Sequence, residues 1–311
     1  MPDNRPWVPD VEMTSEIAAR LIAKQFAAHA PGEIHLLGTG WDNSAYLADG
    51  QMLWRFPIRQ LGAALIGTEM RVLGNIAPFL PLAIPSPVCC GTPAAGYPYP
   101  FAGYPFIPGV TACQIGWDAG RCLEIAPALA RFLKTLHSIP VNPDWQLPGD
   151  TLRRTDLHLR IVQLEERLIK AAPTLEARGL NASHIAAIAK KLVDTPDSGR
   201  KRCVVHGDLY LRHLLVDTTS EASVRLTGII DWGDVHCGDR SLDISIAYSL
   251  LSGEARRAFF EAYGAVDAVE HARARFRALH YGAILVVYGE DIGDDALVAA
   301  GEWALRAGSA D

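Results

Sequence analysis

The 311-residue chain has no long apolar run, no basic tract and no cysteine pair at C-x-x-C spacing. Its most apolar late stretch, Ala283 to Tyr288, is too short to span a bilayer, so no membrane contact is expected. Lys and Arg number 29 against 35 Asp and Glu, a formal charge of −6. A nucleic-acid binder usually carries a basic face, and none is visible, so no nucleic-acid partner is expected. The opening MPDNRPWVPD lacks a basic patch followed by an apolar core, so no secretory signal is expected. Cys89, Cys90, Cys113, Cys122, Cys203 and Cys237 read as reduced thiols serving as small core side chains, which suits a cytoplasmic protein. With 49% hydrophobic and 21% charged residues, disorder is excluded, and the length fits one large domain or two lobes.

What is present falls into two halves. Thr14 to Ala30 reads as a capped amphipathic helix ended by Pro31-Gly32. Short strands follow at Ile34–Leu37, Ser44–Ala48 and Met52–Phe56, with a hairpin signal at Asp49-Gly50. Gly67 to Ile76 predicts a helix with Met70 and Leu73 facing inward. Proline and glycine crowd Pro78 to Pro108, which predicts short strands and turns, and Tyr104 to Gly109 reads as a connection between lobes. Helical patterns then dominate, at Arg121–Ser138, which Pro127 is expected to divide in two, at Leu152–Ala171 and at Ser183–Val193. A β-rich island, Cys203 to Trp232, precedes a mostly helical stretch from Leu242 to Ala307. The expected class is α+β, with a small β-rich lobe over residues 1–106 and a larger helical lobe over 107–311.

The chemistry is concentrated in the island. Leu214–Val216 and Arg225–Ile230 read as two short strands joined by the polar, turn-rich stretch Asp217 to Ser223. Antiparallel pairing brings the start of one strand beside the end of the other. His213 and Asp231 should therefore meet at the open end of the hairpin, with Asp208 on the loop that enters there. Phosphoryl transfer needs such a set: a carboxylate to orient or deprotonate the attacking hydroxyl, and metal ligands on a separate element to neutralise a triphosphate. Asp208 suits the first role, and His213 with Asp231 the second.

The order H-G-D-x-x-x-x-H from His206 to His213, then I-I-D-W at Ile229 to Trp232, then G-D-x-x-x-D from Gly238 to Asp243, resembles the aminoglycoside phosphotransferase family. The resemblance implies a protein-kinase-like, two-lobe fold and a small-molecule kinase. Such an enzyme moves the γ-phosphoryl group of ATP or GTP to a hydroxyl of an antibiotic-like acceptor, a macrolide or aminoglycoside, or of a metabolite. It implies Asp208 as the catalytic-loop aspartate, Asp231 as the main metal ligand and His213 as the second. Most family members carry asparagine there, and histidine resembles the macrolide branch, with its HGDLxxxH. Imidazole is a poorer Mg²⁺ ligand than an oxygen donor, so Mn²⁺ tolerance is expected beside the implied Mg²⁺.

The front lobe should then hold the nucleotide. Gly38 to Asn43, with Ser44, is expected to cover the phosphates, although a plain hairpin turn competes with that reading. Arg55 stands where the family places lysine, and its fork can still bridge phosphate oxygens. Glu69 is its expected partner, or else a solvated helix residue. Backbone near Tyr104, Phe106 and Ile107 should flank the base. His206 and His137 read as bracing residues, and Asp239 and Asp243 as structural aspartates. Asp234 and the acidic run containing Glu290 and Asp291 are candidate substrate contacts, for which a solvated surface is the stronger competitor. Residues 142–198 and those after 250 should shape the acceptor pocket. Two other readings stay open: a pseudokinase, suggested by Arg55 and His213, and a metal-dependent hydrolase using His206, Asp208, His213 and Asp231. Monomer and dimer are equally compatible.

Overall fold

The computed structural model describes residues 9–94, 96–194, 202–219 and 223–310. Its first half is built on one antiparallel sheet. Helix α1 (Ser15–Gln25) starts where Thr14 Oγ1 accepts the Ile17 N–H at 3.3 Å, and it ends before the expected Ala30, passing into a short 3-10 turn at Ala27–His29. Strands β1 (Ile34–Thr39), β2 (Asn43–Ala48) and β3 (Met52–Pro57) form a meander. The β2–β3 turn is tight because Asp49 and Gly50 both take left-handed backbone, φ +51° and +67°, whose twist matches the strands it joins. Helix α2 (Gln60–Ile76) begins seven residues earlier than the sequence predicts, where Asp10 Oδ2 accepts the Gln60 N–H.

Strands β4 (Cys89–Gly91) and β5 (Phe101–Pro105) complete the sheet in the order β1-β2-β3-β5-β4. Alternation along β3 turns Trp54 and Phe56 to one face, where they pack with Tyr46, Tyr97, Phe101 and the apolar side of α1. Phe56 stacks on Phe101 at 4.8 Å between centroids. Each such ring contributes about 1.5–3 kcal/mol on burial, so the sheet is a stiff platform. Arg55 is on the opposite face, opposite Ala102 of β5 and under α2.

The second half is mainly helical. A two-residue strand, β6 (Val110–Thr111), leads to α3 (Ala119–Ser138), α4 (Leu157–Ala177) and α5 (Ala182–Val193). The expected break at Pro127 does not occur: α3 runs through it unbroken. The missing proline donor leaves one carbonyl unbonded, but Cys122, Ile125, Ala126, Leu129, Phe132, Leu133 and Leu136 are all buried along one face and hold both halves in line. Helix α4 begins five residues later than predicted, because Asp156 caps it at Leu159 N (3.0 Å) and Arg153, at φ +51°, closes a turn before it.

Strands β7 (Cys203–Val205), β8 (Leu214–Asp217), β9 (Arg225–Ile229) and β10 (His236–Gly238) form the island, β8 pairing with β6 and β9, and β7 with β10. The expected turn between β8 and β9 falls partly on residues 220–222, outside the described residues, as do 195–198 of the expected acceptor region. Helices α6 (Ser241–Ile244), α7 (Ile246–Ser249), α8 (Gly253–Tyr263), α9 (Ala268–Ile292) and α10 (Asp295–Ser309) complete the chain. A capping box of Asp267 and Glu270 starts α9, and Gly293 at φ +68° ends it. The main core joins α3, α8 and the island, and a second packs α4 and α5 against α9. Among the described residues no helix is long and apolar enough to cross a membrane.

Candidate active site

Strand β7 delivers His206, Gly207 and Asp208 into a loop that only glycine can thread. Gly207 has φ +85°, and a Cβ there would lie 2.5 Å from the Asp234 carbonyl oxygen. Asp243, at the start of α6 and fully buried, accepts the backbone N–H groups of His206 (2.8 Å) and Gly207 (2.9 Å) and meets His137 Nε2 at 3.1 Å. Burial opposes its ionisation, but these bonds win and hold the carboxyl below the usual range. Asp239 accepts from Ser241 N at 2.9 Å and pairs with Arg273. Asp243 thus ties the loop to the helices behind it, and Asp239 ties the end of β10 to α6 and α9.

His206 is wholly buried, and burial lowers its pKa. Its Nε2–H donates to Ile230 O at 3.0 Å, and Nδ1 accepts the Asp208 N–H at 3.3 Å. Both ring nitrogens are therefore used inside the loop, which removes the first ligand that the hydrolase reading requires.

Pairing of β8 with β9 sets Leu214 opposite Ile229, and Ile230 N bonds His213 O at 2.9 Å. His213 and Asp231 consequently meet, with Nε2 3.2 Å from Oδ2. His213 Nδ1–H donates to the Asp208 carbonyl at 2.7 Å. Burial opposes a charged imidazole, but the Asp231 carboxylate outweighs it and raises the His213 pKa. Asp231 has φ +64°, a strained value for any residue but glycine, asparagine or aspartate. Desolvation works against its charge, yet His213 and Arg55 hold the carboxyl well below the usual range. Its side chain is still 51% exposed, open to the cleft. One exposed carboxylate and one imidazole fit a divalent ion that takes its other ligands from phosphate oxygens and water.

The sheet contributes the third group. Arg55 Nη1 lies 2.8 Å from each Glu69 oxygen, and Nη2 lies 3.3 Å from Asp231 Oδ1. Glu69 is fully buried, which overturns the solvated-face reading. Burial pushes the Glu69 carboxyl up; at Arg55 burial opposes the charge, but the Glu69 and Asp231 carboxylates outweigh it and raise the pKa. Tyr104 is behind them, donating to Glu69 Oε2 at 3.2 Å.

Gly38 and Gly40 flank the β1–β2 turn, where Gly40 N bonds Asn43 O at 2.9 Å. A Cβ at Gly38 would meet nothing within 4 Å, so the free chain does not need glycine there for packing. Ser44 is buried with its hydroxyl 3.1 Å from Thr39 Oγ1, turned into the hairpin. At the tip, Trp41 Nε1–H donates to Tyr288 O–H of α9 at 2.6 Å. Phe106 N–H bonds Gln51 O at 2.8 Å, and Ile107 packs beside Gly228.

The expected acidic substrate contacts are engaged elsewhere. Asp234 pairs with Arg154, and burial pushes its pKa up. Asp291 binds Lys170 of α4 at 2.8 Å, and Glu290 binds Thr174. Three residues that sequence reasoning missed face Asp208 or its neighbours. Arg277 Nη2 lies 3.7 Å from Asp208 Oδ1, Tyr281 hydrogen-bonds Asp208, and Arg154 joins Asp150 to Asp234. The signal for Arg277 and Tyr281 was their spacing by four, with Arg273, along one helix; Arg154 had none. A cavity of about 770 Å³ lies to one side, lined by Asp150, Arg153, Asp156 and Arg273 but not by Asp208, His213 or Asp231.

The phosphotransferase enzyme family matches residues 33–279. An aminoglycoside 3'-phosphotransferase of Salmonella typhimurium is 34% identical over 170 residues, 51% of this chain and 56% of that protein. The chain thus spans about half the length of the curated relatives it matches. Among solved structures, the GDP and kanamycin complex of APH(2")-IIia superposes with a TM-score of 0.65 at 22% identity, over 93% of this chain and 97% of that one. Macrolide 2'-phosphotransferase type I gives 0.58 at 22% identity, over 93% and 97%. At such identity these two show a common fold. The family match runs from the first strand of the sheet into α9, so it takes in the platform and the Asp208 loop together, and the chain belongs to the phosphotransferase enzyme family.

Proposed function

We propose that the protein transfers the γ-phosphoryl group of ATP or GTP to a hydroxyl of a small molecule. The observation that carries this is the junction of three groups in one cleft: Arg55 from the sheet, Asp231 from the hairpin and Asp208 through His213. Arg55, fixed by Glu69, grips the phosphates, and Gly38 to Asn43, with Ser44, covers them. Residues 1–106 serve the nucleotide and 107–311 the catalysis and the acceptor. Backbone at Tyr104, Phe106 and Ile107 flanks the base.

Asp231 and His213 would hold a divalent ion such as Mg²⁺, which would supply charge to neutralise the phosphates. Asp208 aligns the acceptor hydroxyl and takes its proton. The acceptor oxygen forms a bond to Pγ as the bond from Pγ to the β–γ bridging oxygen breaks, and the nucleoside diphosphate leaves with that electron pair. Kanamycin and GDP in one relative's structure, and the macrolide kinases among the others, support an antibiotic-like acceptor, with metabolite alcohols as the second class.

Release of NDP from ATP and GTP in parallel, across macrolides, aminoglycosides and metabolite alcohols, tests the proposal. Acceptor-dependent release that requires a divalent ion is expected. Nucleotide binding without release under any condition would support the pseudokinase reading instead.

A further inference from the structure

The walls around Asp208 indicate which acceptors the site takes. Its two carboxylate oxygens face different ways. Oδ2 lies 4.0 Å from His213 Nδ1, and Oδ1 lies 3.7 Å from Arg277 Nη2. A hydroxyl that uses Asp208 as its base meets Arg277 and Tyr281 on the Oδ1 side or beside it. That guanidinium is 11% exposed, stacked 4.6 Å above the Tyr281 ring, and too far from Oδ1 for a full hydrogen bond.

Helix α4 faces this wall with more positive charge. Arg160 directs its hydrogen bonds to the carbonyls of Leu152 and Arg153 and to Gln163 Oε1, all neutral acceptors. Arg167, two turns further along α4, bonds Gln163 O and has Glu166 beside it. Two carboxylates near this wall, Asp150 and Asp234, are already bound, both by Arg154, and Asp231 is turned to His213 and Arg55. Buried His280 has no hydrogen-bond partner for either ring nitrogen among the described residues. Burial, with Arg277, Arg167 and Arg160 around it, pushes its pKa down to about 2. An ammonium group placed here would meet like charge, whereas an anion would meet guanidiniums with donors to spare.

We infer that the acceptor pocket recognises a small alcohol bearing an anionic group, a carboxylate, phosphate or sulfate near the reacting hydroxyl, with Arg277 and Arg160 as its receptors. This rests on the phosphotransfer reading and narrows its acceptor class away from polyamines.

The test uses the full chain saturated with Mg²⁺ and with whichever of ADP and GDP binds the tighter. Matched hydroxy acids, hydroxy amides and amino alcohols on the same carbon skeletons are titrated by calorimetry, with glycerol 2-phosphate, a hydroxyalkyl sulfonate and kanamycin alongside. Anionic members should bind at least tenfold tighter than their neutral and cationic counterparts, and the phosphate, sulfonate and carboxylate arms identify the preferred anion. Arg277→Gln and Arg160→Gln should each erase the preference, and Arg277→Lys should keep part of it. Melting temperatures report whether each variant is folded. Tighter binding of amino alcohols or kanamycin, or no discrimination by charge, overturns the inference, and Mg²⁺-dependent binding of ADP or GDP in that same preparation leaves the phosphotransfer reading standing. Absence of binding of both nucleotides would overturn both.

Discussion

Arg55 reaches Asp231 across the cleft, with Nη2 3.3 Å from Oδ1, while its other nitrogen is fixed by both oxygens of Glu69. The sheet and the catalytic hairpin are thus joined by one charged contact, made by a guanidinium that is 13% exposed. The same side chain must help hold the sheet to α2 and remain free to meet phosphate.

Removing Glu69 should therefore cost more than removing a surface acid. Glu69→Ala leaves a buried guanidinium without its main partner, a loss of about 3–5 kcal/mol in chemical denaturation. Arg55→Lys keeps charge but not the two-pronged grip, so nucleotide affinity should fall while the fold survives. Wild-type stability in Glu69→Ala would show that the pair is incidental.

Acid should loosen the catalytic loop through Asp243. Its native carboxyl binds a proton less tightly than the unfolded one does, so in acid the unfolded chain takes up more protons. The contribution is complete above the unfolded pKa, about 3.9 for aspartate, and is lost as pH falls through the lower native value. The urea midpoint of the wild type should drop steeply below about pH 4. Asp243→Asn should start lower at neutral pH and show a shallower acid slope; an unchanged slope would assign the acid sensitivity to other groups.

The indole of Trp41 is tethered to the Tyr288 hydroxyl, from the tip of the glycine turn to α9. Tyr288→Phe removes one hydrogen bond, worth about 1 kcal/mol, and keeps the ring contact. Nucleotide exchange, followed by tryptophan fluorescence, should accelerate about fivefold, with little change in melting temperature. Identical exchange rates would show that the tether does not restrain the turn.

His213 should set metal preference. Mn²⁺ is expected to support turnover, and His213→Asn should shift the Mn²⁺ to Mg²⁺ activity ratio toward Mg²⁺. Equal losses in His213→Asn and His213→Ala would argue against a ligand role.

Local chemistry made much of the fold legible. Asp49-Gly50 dictates its hairpin, the alternation of β2 and β3 marks the sheet, and strand pairing alone brings His213 to Asp231. Helix ends were harder to read. Asp10 starts α2 from fifty residues away, and packing on both sides carries α3 through Pro127. The arginine wall was invisible for the same reason. Arg160 and Arg277 stand on helices whose pairing depends on the whole second core, and no local pattern brings them together. Glu69 was legible as the partner of Arg55 from its place on the helix after β3, but its full burial was not, because the strands that cover it lie elsewhere in the chain.

Turnover of Asp208→Asn, measured as NDP release beside the nucleotide dissociation constant of that variant, tests the phosphotransfer account most directly. The account predicts a fall of about a thousandfold or more in release, with nucleotide affinity close to that of the wild type. Undiminished release, or loss of nucleotide binding in a folded variant, would contradict it.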